Sequence, residues 1–128
     1  MEQIVVVESS KPFDEACRAL EQAIAQHGFG ILHVHDIGQT LAKKGVAFDR
    51  DVRVFDVCHP QRAKQVLDEN LLISAALPCA ISVFAEGGRT KLAFVRPTAM
   101  LGLFGSERLQ QVAREVEDTV RRIVAAAA

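Results

Sequence analysis

The chain has 128 residues, of which 49% are apolar and 24% are charged, the composition of an ordinary folded domain. Fifteen basic residues against sixteen acidic ones give a formal charge of −1, and Trp and Tyr are absent. This balance argues against a nucleic-acid partner, which needs a basic surface and usually aromatic side chains. We therefore expect residues 1–128 to form a single domain.

The first third of the chain predicts a strand, a helix and a second strand. Residues 3–8 are a β-branched run typical of a buried strand, and Pro12 marks the start of a helix. Gly28 is placed to end that helix, and residues 29–37 follow as the second strand. The apolar face of the helix consists of Phe13, Ala16, Cys17, Leu20, Ala23 and Ile24.

The middle of the chain predicts three more strands and two short helical pieces. Residues 40–44 form a helical or irregular piece, residues 52–58 a strand, and Pro60 opens a short helix. Residues 79–86 and 89–96 are two strands, and the two glycines between them tolerate the positive φ angles of a tight turn. The sequence therefore predicts a β-hairpin here.

A long amphipathic helix is predicted at the end of the chain, with Ser106 as its N-cap. Glu117 and Arg121 are spaced as a favourable ion pair, which we assign to the outer side of this helix. Its apolar stripe consists of Leu109, Val112, Ala113, Val116, Val120, Ile123 and Val124. The order β-α-β-(α)-β-α-β-β-α predicts an α+β fold with a single, partly antiparallel sheet and helices packed against it.

The cysteines and the hydropathy pattern bear on the compartment. Three cysteines, an odd and small number, favour a reducing environment over a disulfide framework. No basic segment precedes a long apolar run, and no window approaches the ~18 consecutive apolar residues that a membrane span needs. We expect a cytoplasmic protein without a membrane partner.

The strongest chemical candidate is a pair of cysteines next to prolines. Cys58 ends a strand ahead of the helix that begins at Pro60, where free backbone N–H groups would lower the pKa of its thiol. Cys79 begins another strand, and His59 follows Cys58 directly. Two thiolates and an imidazole can hold a metal, or the thiols can form a disulfide. The competing interpretation is that both cysteines are packed as small apolar residues, as we expect for Cys17.

Two weaker candidate sites are also present. His33 and His35 lie two apart on a strand, so their side chains point the same way and can share a metal, but a solvated strand face is the favoured interpretation. The glycine loop at residues 102–106 feeds a helix and could bind an anion with help from Arg96. That loop lacks the Lys-Ser/Thr pair of a phosphate-binding P-loop, and a turn followed by a helix cap accounts for it.

Five short motifs in the same order along the chain resemble the domain of unknown function 302 family. They are FDEA at 13–16, GFGIL at 28–32, CHP at 58–60, LPC at 77–79 and AMLGL at 99–103. The resemblance implies a compact α+β homodimer without an established activity, with Cys58 and Cys79 where the family usually has its two cysteines. His59, Ala80 and Arg96 depart from the residues common in the family, so a metal site that uses His59 would be specific to this chain.

Three functional hypotheses follow. The first is a small cytoplasmic homodimer that binds a metal or small-molecule ligand beside Cys58, His59 and Cys79. The second is a thiol-based redox or sulfur-handling enzyme, with Cys58 as nucleophile and Cys79 as resolving partner. The third is an interaction module in which residues 99–104 supply an apolar patch and the sheet edge or the last helix mediates dimerisation. The sequence does not identify a cofactor or a substrate.

Overall fold

A five-stranded antiparallel sheet forms the centre of the computed structural model, which describes residues 2–128. The sheet order is β1-β5-β4-β3-β2, and each neighbouring pair is antiparallel. The strands are β1 (Ile4–Ser9), β2 (Gly30–Asp36), β3 (Val52–Cys58), β4 (Cys79–Glu86) and β5 (Arg89–Val95). The helices are α1 (Phe13–Gln26), α2 (Ile37–Lys43), α3 (Pro60–Glu69), α4 (Pro97–Leu101) and α5 (Glu107–Ala127). The predicted α+β class is confirmed, and the sheet is antiparallel throughout.

The hairpin between β4 and β5 forms where the glycine pair predicts it. Glu86 pairs with Arg89, and the two residues between them are Gly87 and Gly88, with φ angles of +60° and +76°. Positive φ at both central positions matches the right-handed twist of the flanking strands, and glycine adopts it without steric cost. The hairpin places β4 at the centre of the sheet, between β5 and β3.

Two helices, α1 and α5, cover one face of the sheet. Alternate residues of β3, β4 and β5 are buried against them, as the period of two in a strand requires. The predicted apolar face of α1 is buried apart from Phe13, which is partly buried, and Cys17 is packed as expected. The largest fully buried side chains in this first core are Leu20, Ile24, Phe55, Ile81, Leu92 and Ile123.

A second, smaller apolar core lies beside the first. It joins α3, a 3-10 turn (Leu71–Ala76), α4 and the first half of α5. Its buried members are Val66, Ile73, Leu101, Leu109 and Ala113. The second half of α5 belongs to the first core, so this single helix of 21 residues links both.

Two local elements differ from the prediction for identifiable reasons. The piece predicted at residues 40–44 is a helix that begins earlier, at Ile37, because the side chain of Asp36 caps it by accepting from the Gln39 amide at 3.0 Å. The short helix α4 was not predicted. Pro97 occupies its first turn, where a missing N–H costs nothing.

Glu117 does not lie on the outer side of the last helix, which corrects the sequence prediction. It is only 7% exposed, because it lies four residues after Ala113 and three before Val120, within the apolar stripe itself. Its carboxylate accepts from the Thr98 hydroxyl at 2.6 Å, the Thr98 amide at 3.2 Å and Arg96 Nε at 3.2 Å. The predicted pair with Arg121 is present at 3.5 Å.

These contacts determine the charge state of Glu117. Burial alone would raise the pKa of the carboxyl, but the hydrogen bonds from Thr98 and Arg96 outweigh it and hold the pKa below the ordinary value of 4.5. The ionised carboxylate therefore ties the start of α4 to the middle of α5.

Across residues 2–128, no helix combines the length and apolar character that crossing a membrane requires.

Replacing Glu117 by Gln is expected to lower the free energy of unfolding by about 1–3 kcal/mol at pH 7, since one of the buried donors loses its acceptor. The loss should shrink as the pH falls through and below 4.5, because a depressed native pKa stabilises the fold only while the carboxyl is ionised. Urea unfolding between pH 3 and 7 measures the loss of unfolding free energy and its dependence on pH. Glu107→Gln, on the exposed face of α5, is the control. If wild type and E117Q differed in unfolding free energy by the same amount at every pH in that range, the assignment of Glu117 as a buried, ionised carboxylate would be contradicted.

Candidate functional site

A cavity of about 310 Å³ lies at the end of the sheet where β3 ends and β4 begins. Its volume is at the lower end of the range for small-molecule pockets. Cys58, His59 and Cys79 line it, together with a predominantly apolar wall. The apolar side chains come from both cores and from the segments between them, and include Phe29, Leu32, Val57, Val66, Leu77, Met100 and Leu101.

The two cysteines reach this cavity from neighbouring strands. Val57 is the residue opposite Cys79 in the pairing of β3 with β4, and Cys58 follows Val57 at the end of β3. Both cysteines are partly buried and carry free thiols. Burial raises the pKa of the Cys79 thiol, and the nearby Cys58 adds to the shift because two thiolates would repel each other. Cys79 is therefore held as a neutral thiol at neutral pH.

His59 is fixed in position by the helix that it starts. Its Nδ1 accepts a hydrogen bond from the Arg62 amide at 3.3 Å, so the imidazole serves as the N-cap of α3. The ring also makes an edge-to-face contact with Phe29, with centroids 5.4 Å apart. The sequence analysis expected free backbone N–H groups at the start of this helix to act on Cys58. The Arg62 amide is not free for that role, because it donates to His59.

The chemistry of these three residues fits a metal poorly. In the neutral ring of His59, Nδ1 is the acceptor and Nε2 carries the proton. Coordination through Nε2 would move the proton to Nδ1, against the Arg62 amide, and break the cap of α3. Within residues 2–128, no group of three or more His, Cys, Asp or Glu side chains is arranged to hold a metal ion.

His33 and His35 lie together on β2, as the alternation in a strand predicts. Their rings are 4.4 Å apart between centroids. His35 Nε2 is 2.6 Å from a carboxylate oxygen of Asp56, on the neighbouring strand β3. A carboxylate only accepts, so Nε2 of His35 carries the proton and the lone pair of the neutral ring lies on Nδ1. In the part of the chain that the structure describes, no third ligand stands with these two histidines to complete a metal site.

Arg96 and the glycine loop serve the fold in this structure. Arg96 donates to Glu117 and to the Glu2 carbonyl, so its guanidinium is engaged away from a loop anion. Gly105 has a φ angle of +67°, and Ser106 Oγ accepts from the Leu109 amide at 3.3 Å. These are the turn and the N-cap that the alternative interpretation of this loop proposed.

Sequence reasoning missed a polar pocket of about 290 Å³ next to the cavity. It includes Arg62, which pairs with Glu115 at 2.8 Å, and Arg122, which pairs with Asp118 at 3.4 Å. The pair between Arg122 and Asp118 has the i,i+4 spacing that favours such pairs on a helix. The pair between Arg62 and Glu115 joins α3 to α5 across 53 residues, and no local pattern signals it.

The fold and the cavity together define a class: an α+β protein with one antiparallel sheet, covered by helices on one face, and a small apolar pocket at one sheet end. The chain belongs to the family described as Domain of unknown function DUF302, whose match covers residues 5–127. It is similar to an uncharacterised conserved DUF302 protein from Bacillus stearothermophilus, known from a crystal structure. The two are 30% identical, the match covers 100% of each chain, and the TM-score is 0.94. No curated protein matches this chain.

Alkylation by iodoacetamide, which attacks the thiolate, tests the environment of Cys79. Its rate in the folded protein should rise only at higher pH than in the urea-unfolded chain, because the folded environment raises its pKa. Replacing Cys58 by Ser removes the smaller of the two causes of the raised pKa of Cys79, since burial is the larger. It should move the pH profile of alkylation part of the way toward that of the unfolded chain. Mass spectrometry of the labelled peptides measures each cysteine separately, and a profile displaced to lower pH in the folded protein would contradict the assignment.

Proposed function

We propose that this protein binds a small organic molecule with an apolar body in the cavity beside Cys58, His59 and Cys79. The observation that carries the proposal is the cavity itself, about 310 Å³ with a mostly apolar wall. Small-molecule sites in proteins are concave and predominantly apolar with a few polar groups in the wall, and this cavity has that character. Transfer of an apolar molecule from water into such a space is favourable.

The sulfur atoms support an apolar ligand rather than an ion. Cys79 with a raised pKa is a neutral thiol, and neutral thiols behave as small, polarisable apolar groups. Met100 adds a thioether to the same wall. These soft groups adapt to an irregular apolar surface without presenting an unsatisfied charge. In the thiol-enzyme hypothesis Cys79 is the resolving partner, and its raised pKa lowers the fraction of thiolate with which it would attack a bond to Cys58.

Adjacent alanines in the 3-10 turn offer a matched test of the binding site. Ala76 lines the cavity, whereas Ala75 is exposed and does not. We expect Ala76→Phe to weaken the binding of toluene, an apolar probe, by roughly tenfold or more, a loss of ~1.4 kcal/mol. Ala75→Phe should bind as wild type does.

Chemical-shift changes in NMR titrations with toluene measure the affinities of all three proteins. Thermal unfolding of each variant checks that the fold is retained. Equal toluene binding by wild type and A76F, or no binding by wild type, would overturn the proposal.

We also propose that the chain forms a homodimer, as the family resemblance implies, through the sheet face that α1 and α5 leave uncovered. Val6 is 55% exposed there, on the opposite face of β1 from the core residues Val5 and Val7. It pairs with Ala93, and Val95 on the same face pairs with Ile4. An exposed apolar strip of this kind is a common feature of self-association surfaces.

Sedimentation equilibrium at micromolar concentration tests the dimer. Wild type is expected to sediment with twice the mass of the chain, and Val6→Lys as a monomer, because a lysine at the centre of the interface would be buried without a partner. Leu71→Lys, at a residue 77% exposed in the 3-10 turn away from the sheet, is the control and should stay dimeric. A monomeric wild type would remove the proposal.

A cytoplasmic location completes the proposal. Its support is chemical: three cysteines carry free thiols, and free thiols persist in a reducing compartment. The buried thiol of Cys17 and the neutral thiol of Cys79 need no oxidant or disulfide partner for their structural contacts.

A further inference from the structure

The polar pocket and the apolar cavity share a wall. Phe29, His59, Arg62 and Val116 line both of them. The two spaces therefore lie side by side, and a molecule seated in the apolar cavity against His59 has the polar pocket as its immediate neighbour.

The charges of the polar pocket balance. Arg62 pairs with Glu115 at 2.8 Å, and Arg122 pairs with Asp118 at 3.4 Å. Two guanidinium groups and two carboxylates leave no net charge around this space. An added anion would lie beside two carboxylates, and an added cation beside two guanidinium groups, so either would meet repulsion along with attraction.

The two imidazoles of this pocket offer complementary hydrogen-bonding groups. His59 Nδ1 accepts from the Arg62 amide, so Nε2 of the neutral ring is a donor. His27 Nδ1 lies 2.8 Å from the Ala23 carbonyl oxygen, which only accepts, so Nδ1 carries the proton and Nε2 is an acceptor. The pocket therefore presents one imidazole donor and one imidazole acceptor beside its balanced ion pairs.

We propose that the ligand is amphipathic: its apolar body fills the cavity, and an uncharged headgroup that both donates and accepts hydrogen bonds, such as a hydroxyl, occupies the polar pocket. This inference rests on the proposed function and narrows it to a class of ligand. His59 stands at the boundary, where its ring faces the apolar body and its Nε2 proton is the donor for the head. The headgroup, rather than the body, then decides which molecule binds.

The experiment compares octanol, octanoate and octylamine at pH 7.5, three probes with one apolar body and a neutral, anionic or cationic head. Toluene serves as the probe without a head. Isothermal titration of the wild-type protein should give octanol the highest affinity of the three octyl probes. The affinity for toluene measures the apolar cavity alone.

Four variants connect the preference to the pocket. His59→Asn keeps an N-cap acceptor for α3 but replaces the imidazole donor by the NH2 of a shorter side chain, which reaches less far toward the headgroup. It should weaken octanol binding by about fivefold. Arg122→Met leaves Asp118 unpaired and should shift the preference toward octylamine, whereas Asp118→Asn should shift it toward octanoate. Arg114→Met, on the same helix but in an exposed pair outside both pockets, should change nothing.

The outcomes separate the two proposals. Headgroup preferences that follow the charge changes at Arg122 and Asp118 support the amphipathic ligand. Toluene binding together with octyl affinities that ignore the headgroup, or that do not respond to these substitutions, overturns the inference while the apolar cavity stands. Absence of binding by every probe, toluene included, overturns the proposed function and the inference with it.

Discussion

The packing of α5 against two separate apolar cores is the constraint on which the structure depends. Its first half closes the smaller core with α3 and α4, and its second half covers the sheet together with α1. The buried Glu117 holds the helix between the two, because Thr98 and Arg96 bind its carboxylate at the start of α4. Because one helix packs against both cores, a boundary remains between them, which we call the seam. The apolar cavity lies in this seam and is lined by residues of both cores.

The seam explains the character of the site. One wall is the end of the sheet, where Val57 and Cys79 face the helices, and the other is formed by Val66 and Leu101 of the smaller core. Both walls are apolar because each belongs to a core. Polar chemistry enters at one side, through His59, the Arg62–Glu115 pair between α3 and α5, and the Arg122–Asp118 pair within α5. A bound molecule would therefore meet apolar and polar surroundings at its two ends.

The local sequence pattern predicted the strands and helices well, but it could not predict the contacts between residues distant in the chain. The strand at Val52–Cys58 and the glycine hairpin follow from β-branched residues and turn chemistry, which act within a few residues. The pairing of β3 with β4 brings Cys58 and Cys79 to one cavity, and only the proline-flanked cysteines hinted at that. Glu117 was assigned to the surface because its spacing from Arg121 is typical of exposed ion pairs, although its position within the apolar stripe also signals burial.

A crystal structure of the protein under xenon pressure tests most directly whether the seam is a binding cavity, because xenon occupies apolar spaces that water leaves empty. We expect xenon density between Cys79 and Leu101, without rearrangement of α3 or α4. Ordered water molecules filling this space, or helices that close it completely, would contradict an apolar binding cavity at the junction of the two cores.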